Sequence, residues 1–311
     1  MKPLAPRTLP IFQLTRASSP HFQHLRTLTM STPASTASPA PGTPNIPKGK
    51  TEIKILMLHG YTQSGPLFSS KTKALAKLLT KALSPAPFNL HPTLIYPTAP
   101  HNLRPSDIPG YVPTDGGEAE DEEEQSDNWA WFRKDEATGA YRGLAAGMQR
   151  IASTIADAGG VDGICGFSQG GATAALVAAA LEHPYRTPPS PSASDEEDWS
   201  WVSALREANN NRPLKYCVVY SGFFAPVGSL QWLYEPRIST PTLHFLGSLD
   251  TVVEESRSQG LVDRCVDPMV VVHPGGHYVP VAKDWVMALV GWLRQRYAEA
   301  DAGENANKEA L

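Results

Sequence analysis

Short runs of consecutive apolar residues alternate along this chain with longer stretches whose apolar residues recur at helical spacing, and few architectures accept that alternation. Ile53 to Leu58, Thr93 to Tyr96, Gly163 to Cys165, Tyr216 to Tyr220, Thr242 to Leu246 and Met269 to Val272 read as strands. Between them, Lys71 to Leu83 carries Leu75, Leu78, Leu79 and Leu83 on one helical face. Tyr141 to Ala158 does the same with Leu144, Met148, Ile151 and Ile155. Ala172 to Leu181 is rich in strong helix formers, and Trp285 to Arg296 closes the pattern as a last helix. Strands that are apolar throughout and separated by helices predict a mainly parallel central sheet with helices on both faces. The fold class is therefore α/β, in three layers, with no internal repeat.

Three segments stand apart from this pattern in a chain of 311 residues. Residues 1–50 contain no Asp or Glu, several Ser and Thr, many prolines, and Arg7, Arg16 and Arg26. Such a start resembles a mitochondrial transit peptide. The alternative is a disordered leader with translation beginning at Met30. A loop over 105–127 holds Pro109, Pro113, Gly116 and Gly117 and then the acidic run Glu118 to Glu124. An insertion over 185–212 holds a Pro/Ser stretch, Asp195 to Asp198, a short helix expected around Trp201 to Ala208, and Asn209 to Asn211. Acid-rich segments of this kind are solvated surface. A flexible tail is expected over 299–311. The remaining single domain, over 51–298, amounts to about 220 residues once the insertions are set aside.

Composition excludes several functions. The net charge is only -4 and the basic residues are scattered, which argues against nucleic acid as a partner. No apolar run approaches the ~18 residues of a membrane-spanning helix. Cys165, Cys217 and Cys265 match no zinc or redox spacing, their number is odd and two of them sit inside apolar runs, which fits a reducing compartment. The location expected is cytoplasmic, or mitochondrial if residues 1–29 act as a transit peptide. Nothing in the sequence indicates an oligomeric state.

In parallel α/β sheets the reactive groups sit at the carboxyl ends of strands. After the strand ending at Cys165 comes Gly166-Phe167-Ser168-Gln169-Gly170-Gly171, a G-x-S-x-G turn leading into a helix. The serine occupies a tight turn, the glycines leave room for the backbone to close around it, and the helix amino end favours developing negative charge. A glycine-rich nucleotide loop would need G-x-G-x-x-G spacing, which is absent. A serine hydroxyl needs a base, and triads on this scaffold run Ser, acid, His. Two late histidines qualify. His277 is preferred because Gly275 and Gly276 give it a mobile, open loop, whereas His273 sits at a strand end, packed or bonded to backbone. His244, inside a strand, reads as a core histidine. Asp250 lies just past the penultimate strand and suits the orienting carboxylate. Its competing role is a turn or helix cap, and its rivals are Asp263 and Asp267. The amides of Gln169 and Tyr61 are the expected oxyanion donors. His59 reads as the residue that holds the loop carrying Tyr61.

These motifs resemble the fungal serine-hydrolase family called FSH, which also includes the ovarian-cancer-associated hydrolase-like protein of animals and thioesterases of fungal polyketide pathways. The matching residues are LHGYTQSG from Leu58, YPTAPH from Tyr96, NWAWFR from Asn128, GFSQGG from Gly166, YSGFFAP from Tyr220, HFLGSLDTVV from His244 and HPGGHYVP from His273. They lie within residues 53 to 296, in the family's order. The resemblance implies the α/β-hydrolase fold, the triad Ser168, Asp250 and His277, small-molecule ester or thioester substrates, and neither metal nor organic cofactor. It also puts Phe223 and Phe224 in a loop beside the nucleophile as an apolar acyl site, a role open as well to Trp129, Trp131 and Phe132. Core packing is the alternative for all five. The leader, the acidic run and the insertion depart from the family and bear on compartment and partners. An acyl-protein thioesterase or carboxylesterase shares this type of elbow, and a non-catalytic binder on the same scaffold is a further alternative; against a metal- or cofactor-dependent enzyme speaks the lack of a clustered His/Asp/Glu ligand set in the sequence.

Overall fold

A computed structural model describes residues 46–108, 127–190 and 198–309. The expected leader, apart from 46–50, lies outside these residues. So do the acidic run 118–124 and residues 191–197 of the insertion.

Six parallel strands form one sheet: β1 (Thr51–Leu58), β2 (Leu90–Ile95), β3 (Gly163–Phe167), β4 (Tyr216–Tyr220), β5 (Thr242–Gly247) and β6 (Met269–His273). Their spatial order is β6-β5-β4-β3-β1-β2. Among the described residues seven α-helices accompany them: α1 (Gly65–Lys71), α2 (Lys73–Leu83), α3 (Leu144–Asp157), α4 (Gln169–Leu181), α5 (Ser200–Ala208), α6 (Glu255–Val262) and α7 (Lys283–Glu309). The architecture is the α/β-hydrolase type predicted from the sequence.

Side chains alternate across the strands and so feed two separate cores. Leu56, Leu58, Ile164, Cys217 and Val219 point to the side covered by α3, α4 and α5. Ile53, Ile55, Met57, Cys165, Phe167, Tyr216, Val218 and Tyr220 point to the side covered by α1, α2 and α7. Both faces being covered explains why the inner strands are apolar at most positions, as in Ile55–Leu58 of β1 and throughout β4. Every residue of α4 is buried, which is why it shows no polar face.

The sheet edges depart from expectation. Strand β2 begins before Pro92, which an edge strand tolerates because one row of its backbone groups needs no partner. Strand β6 is apolar, yet Met269, Val270 and Val272 are exposed. The segment expected as one helix from Lys71 is two, broken at Thr72. Helix α3 starts only at Leu144, because Tyr141–Arg142 pairs with Arg133–Lys134 as a short ribbon. The closing helix continues to Glu309, so the tail expected over 299–311 is helical as far as that residue.

The insertion over 185–212 is more than surface. The predicted helix is α5, and its Trp201, Val202 and Leu205 are buried in the core on the α3 side. At its base, Glu182 and Arg186 form a buried ion pair with side chains only 7% and 5% exposed. Glu182 Oε1 accepts the Thr240 amide at 2.6 Å, and Arg186 donates to the carbonyls of Pro236 and Arg237. This tethers the end of α4 to the approach to β5. Glu182→Ala leaves the Arg186 charge buried and unpaired, which costs about 3–5 kcal/mol. Urea unfolding is the check, and a loss under ~1 kcal/mol would mean that water replaces the carboxylate.

Candidate active site

Strand β3 delivers Ser168 into the turn before α4 with φ 53° and ψ -117°, a conformation costly for a residue with a side chain. The surrounding backbone holds it there. Its amide donates to the Tyr220 carbonyl at 2.8 Å, and its own carbonyl accepts from Gly171 and Ala172. The flanking glycines are needed for contact. A Cβ on Gly166 would lie 2.1 Å from the Gly170 carbonyl oxygen, and one on Gly170 would lie 2.3 Å from that of Leu58. Only glycine lets α4 start this close to β1 and β3.

His277 and Asp250 come from the loops after β6 and β5. These loops are tied to each other: Ser248 N donates to His273 O at 2.9 Å and Leu249 N to Gly275 O at 3.0 Å. The carbonyls of Gly275 and Gly276 pack on Gly247 so closely that a Cβ there would meet both at 2.5 Å. The paired glycines, read from sequence as an open loop, thus seat the loop against its neighbour. His277 Nδ1 lies 2.7 Å from Asp250 Oδ2, and His277 Nε2 lies 2.9 Å from Ser168 Oγ. Asp250 Oδ1 accepts the amides of Val252 and Val253 at 2.9 and 3.0 Å. Burial pushes the Asp250 carboxyl upward. The bonds from Val253, His277 and Val252 outweigh it and leave the group below its usual range. An ionised Asp250 accepts Nδ1–H, which turns the bare Nε2 toward the serine hydroxyl.

The competing residues lie elsewhere. Asp263 caps the end of α6 and accepts from Gln259, and Asp267 sits in a turn with φ 45°. Asp250 is not the cap of α6; Glu254 is. His273 is buried between Tyr278 and Trp285, packed but without a bonded ring nitrogen among the described residues. His244 is buried in β5 with Nε2 3.7 Å from Cys265 Sγ.

The loop after β1 carries Tyr61. A Cβ on Gly60 would come within 3.4 Å of the Ser168 Cβ, so this loop runs beside the serine. Among the described residues neither the Tyr61 nor the Gln169 amide has a bonded partner. His59 holds the loop as expected. Its Nδ1–H donates to the Gly60 carbonyl at 2.8 Å, and its Nε2 accepts the Ala99 amide at 3.0 Å. Burial pulls the imidazole down to about 4, so it is neutral and fully engaged.

Three contributions were not read from the sequence. The Gln169 side chain accepts the Trp131 amide and donates to the Phe132 carbonyl, both at 2.8 Å. Trp131 Nε1 in turn donates to the His59 carbonyl at 2.9 Å. Asp127, at the end of the acidic loop, accepts from Ser64 and from Trp129 Nε1. Trp131 is fully buried, in keeping with its packing role. Apart from the local Asp127–Trp129 bond, no spacing rule links these positions, since the other pairs join through space.

A cavity of about 280 Å³ adjoins His277 and is lined by Gln63, Phe68, Lys71, Phe167, Tyr278 and Val279. Phe223 and Phe224 do not line it. Phe223 is buried beneath the Arg257 guanidinium at 4.3 Å, and Phe224 packs edge-on against Tyr234 with Arg264 over its ring. Among the described residues no group of three or more His, Cys, Asp or Glu side chains is arranged to hold a metal ion. No helix of theirs is long and apolar enough to cross a membrane.

The family model described as Serine hydrolase (FSH1) matches residues 49–289. The chain is 31% identical over 244 residues to Family of serine hydrolases 2 of Saccharomyces cerevisiae, covering 78% of this chain and 97% of that protein. It is 30% identical over 239 residues to a dihydrofolate reductase of Schizosaccharomyces pombe, covering 73% of this chain but only 44% of that protein. It is 30% identical over 274 residues to an esterase of Anopheles gambiae, covering 84% of this chain and 85% of that protein.

The neutral imidazoles make stability depend on pH. Burial holds His59 and His244 at about 4, against 6.5 for an unperturbed histidine. Between those values the unfolded chain binds more protons than the folded one, so stability rises with pH and is lost on acidification. Each ring contributes a slope of about 1.4 kcal/mol per pH unit within that window. Urea unfolding across it, with His59→Gln expected to flatten the slope by one ring's share, checks the sign. A stability independent of pH there would contradict it.

Proposed function

The chain belongs to the serine hydrolase family described as FSH1, and from that premise we propose that it cleaves carboxylic ester or thioester bonds of small or medium acyl substrates through an acyl-enzyme on Ser168. The observation that carries this reading is the unbroken line Asp250 Oδ2, His277 Nδ1, His277 Nε2, Ser168 Oγ, with spacings of 2.7 and 2.9 Å across its two hydrogen bonds.

Ser168 Oγ attacks the substrate carbonyl carbon while His277 Nε2 takes its proton. Asp250 holds the ring with Nδ1 protonated and stabilises the imidazolium that forms. The amides of Tyr61 and Gln169 receive the developing oxyanion, at the amino end of α4 where the helix dipole is positive. Collapse of the tetrahedral intermediate expels the alcohol or thiol, which takes the proton from His277. Water then gives a proton to the same ring as it attacks the acyl-serine, and collapse of this second intermediate releases the acid while the ring returns that proton to Ser168 Oγ. Every proton lost by one group is taken by another, and no cofactor is called on.

A fluorophosphonate probe, applied with short- and medium-chain nitrophenyl esters and acyl thioesters, tests this. Native protein is expected to be labelled at Ser168 and active. A folded Ser168→Ala variant is expected to lose labelling and roughly 10⁴- to 10⁶-fold in kcat. Folded native protein that is neither labelled nor active would favour the non-catalytic binder.

A further inference from the structure

The cavity beside His277 holds one formal charge that the mechanism does not use. Lys71 lies in the last turn of α1, exposed, and lines this cavity together with Phe68, Phe167 and Val279. No carboxylate pairs with Lys71 among the described residues. The helical segment that carries it has charge of the same sign. Residues 65–84, which form α1 and α2, contain Lys71, Lys73, Lys77 and Lys81 and no acid, in a chain whose net charge is -4. Of these lysines Lys71 lines the cavity beside His277, whereas Lys77 and Lys81 line a separate groove, so this wall carries one cation on a weakly anionic protein.

His277 decides which half of the substrate meets that wall. In the first half-reaction it must hand its proton to the departing oxygen or sulfur, so the leaving group has to lie against its ring. A cavity bordered by His277 is where that group extends. Its walls supply apolar contact from the two phenylalanines and the valine, and a single cation. An apolar stem ending in an anion complements both.

Resting on the hydrolase reading above, we infer that the preferred substrates carry an anionic leaving group, an alcohol or thiol ending in a carboxylate or phosphate, and that Lys71 selects it. Lys71 is a specificity residue and takes no part in the proton transfers. An exposed ammonium in water discriminates modestly, by about two- to fivefold, and the effect shrinks as salt screens it.

The test compares butyryl thioesters of mercaptopropionate, of mercaptoethyl phosphate and of the neutral primary amide of mercaptopropionate. They are assayed on native protein and on Lys71→Met, Lys71→Glu and Lys71→Arg. Differences in thiol reactivity cancel when each variant is divided by native protein. Lys71→Met is expected to lower kcat/KM about two- to fivefold on the anionic thioesters, mainly through KM, and to leave the neutral one unchanged. Lys71→Glu should lower it further, and Lys71→Arg should retain the preference. The two anionic arms tell carboxylate from phosphate. On native protein, molar salt should erase the preference, a readout that needs no variant. Equal effects on all three thioesters, or a salt-insensitive preference, would overturn the inference. So would a Lys71-dependent preference for a carboxylate on the acyl side, shown by a nitrophenyl hemisuccinate. In each of these cases Ser168 labelling and hydrolysis of the neutral thioester persist, and the hydrolase reading stands. Loss of both in folded native protein would sink the hydrolase reading and this inference together.

Discussion

The amino end of α4 lies so close to the carboxyl ends of β1 and β3 that no side chain fits between them. Gly166 and Gly170 meet opposing backbone at distances that any Cβ would violate. The approach forces the intervening chain through a sharp reversal, and Ser168 takes the positive φ that results. A conformation of this kind costs on the order of 1–3 kcal/mol and persists only where its surroundings over-determine it. Here the constraint comes from both sides: the Tyr220 carbonyl fixes the Ser168 amide, and the first turn of α4 takes its carbonyl. The hydroxyl is thereby aimed at His277 rather than back into the sheet.

The groups around that turn are held by hydrogen bonds between buried polar atoms. Gln169 sends its backbone amide to the proposed oxyanion position and spends its side chain on Trp131 and Phe132. Trp131 grips His59, and His59 grips Ala99 and its own loop. A buried donor or acceptor left without a partner costs about 1–3 kcal/mol, so each link holds the next in place. The loop carrying Tyr61 is positioned relative to α4 through this relay rather than by sequence proximity. The loops after β5 and β6 are joined by a similar logic, with backbone bonds and the absence of a Cβ at Gly247 bringing Asp250 under His277.

Much of this was legible in the chain itself. The inner strands appear as apolar runs because both sheet faces are covered there. The elbow appears as a glycine pattern because close approach excludes side chains. The order serine, acid, histidine follows from the strands that deliver them. Element ends were less legible. Pro92 hid the start of β2, whose edge position makes proline harmless, and the ribbon from Arg133 to Arg142 took residues that helical spacing had assigned to α3. The insertion reads as solvated because its flanks are acidic, yet α5 packs there because Trp201, Val202 and Leu205 share one face.

By itself the sequence determined what repeats locally: the alternation of strand and helix, the glycines of the elbow, and which residues stand at strand ends. Only the tertiary structure decided which distant side chains meet. It joined Gln169 to the segment around Trp131, Asp127 to Ser64, and Lys71 to the cavity of His277, and it put Phe223 and Phe224 outside that cavity. The physical reason is that local pattern reflects the backbone's own periodicity and sterics. Contacts between loops from different strands depend on sheet order and crossover packing, and no spacing within a single segment encodes them.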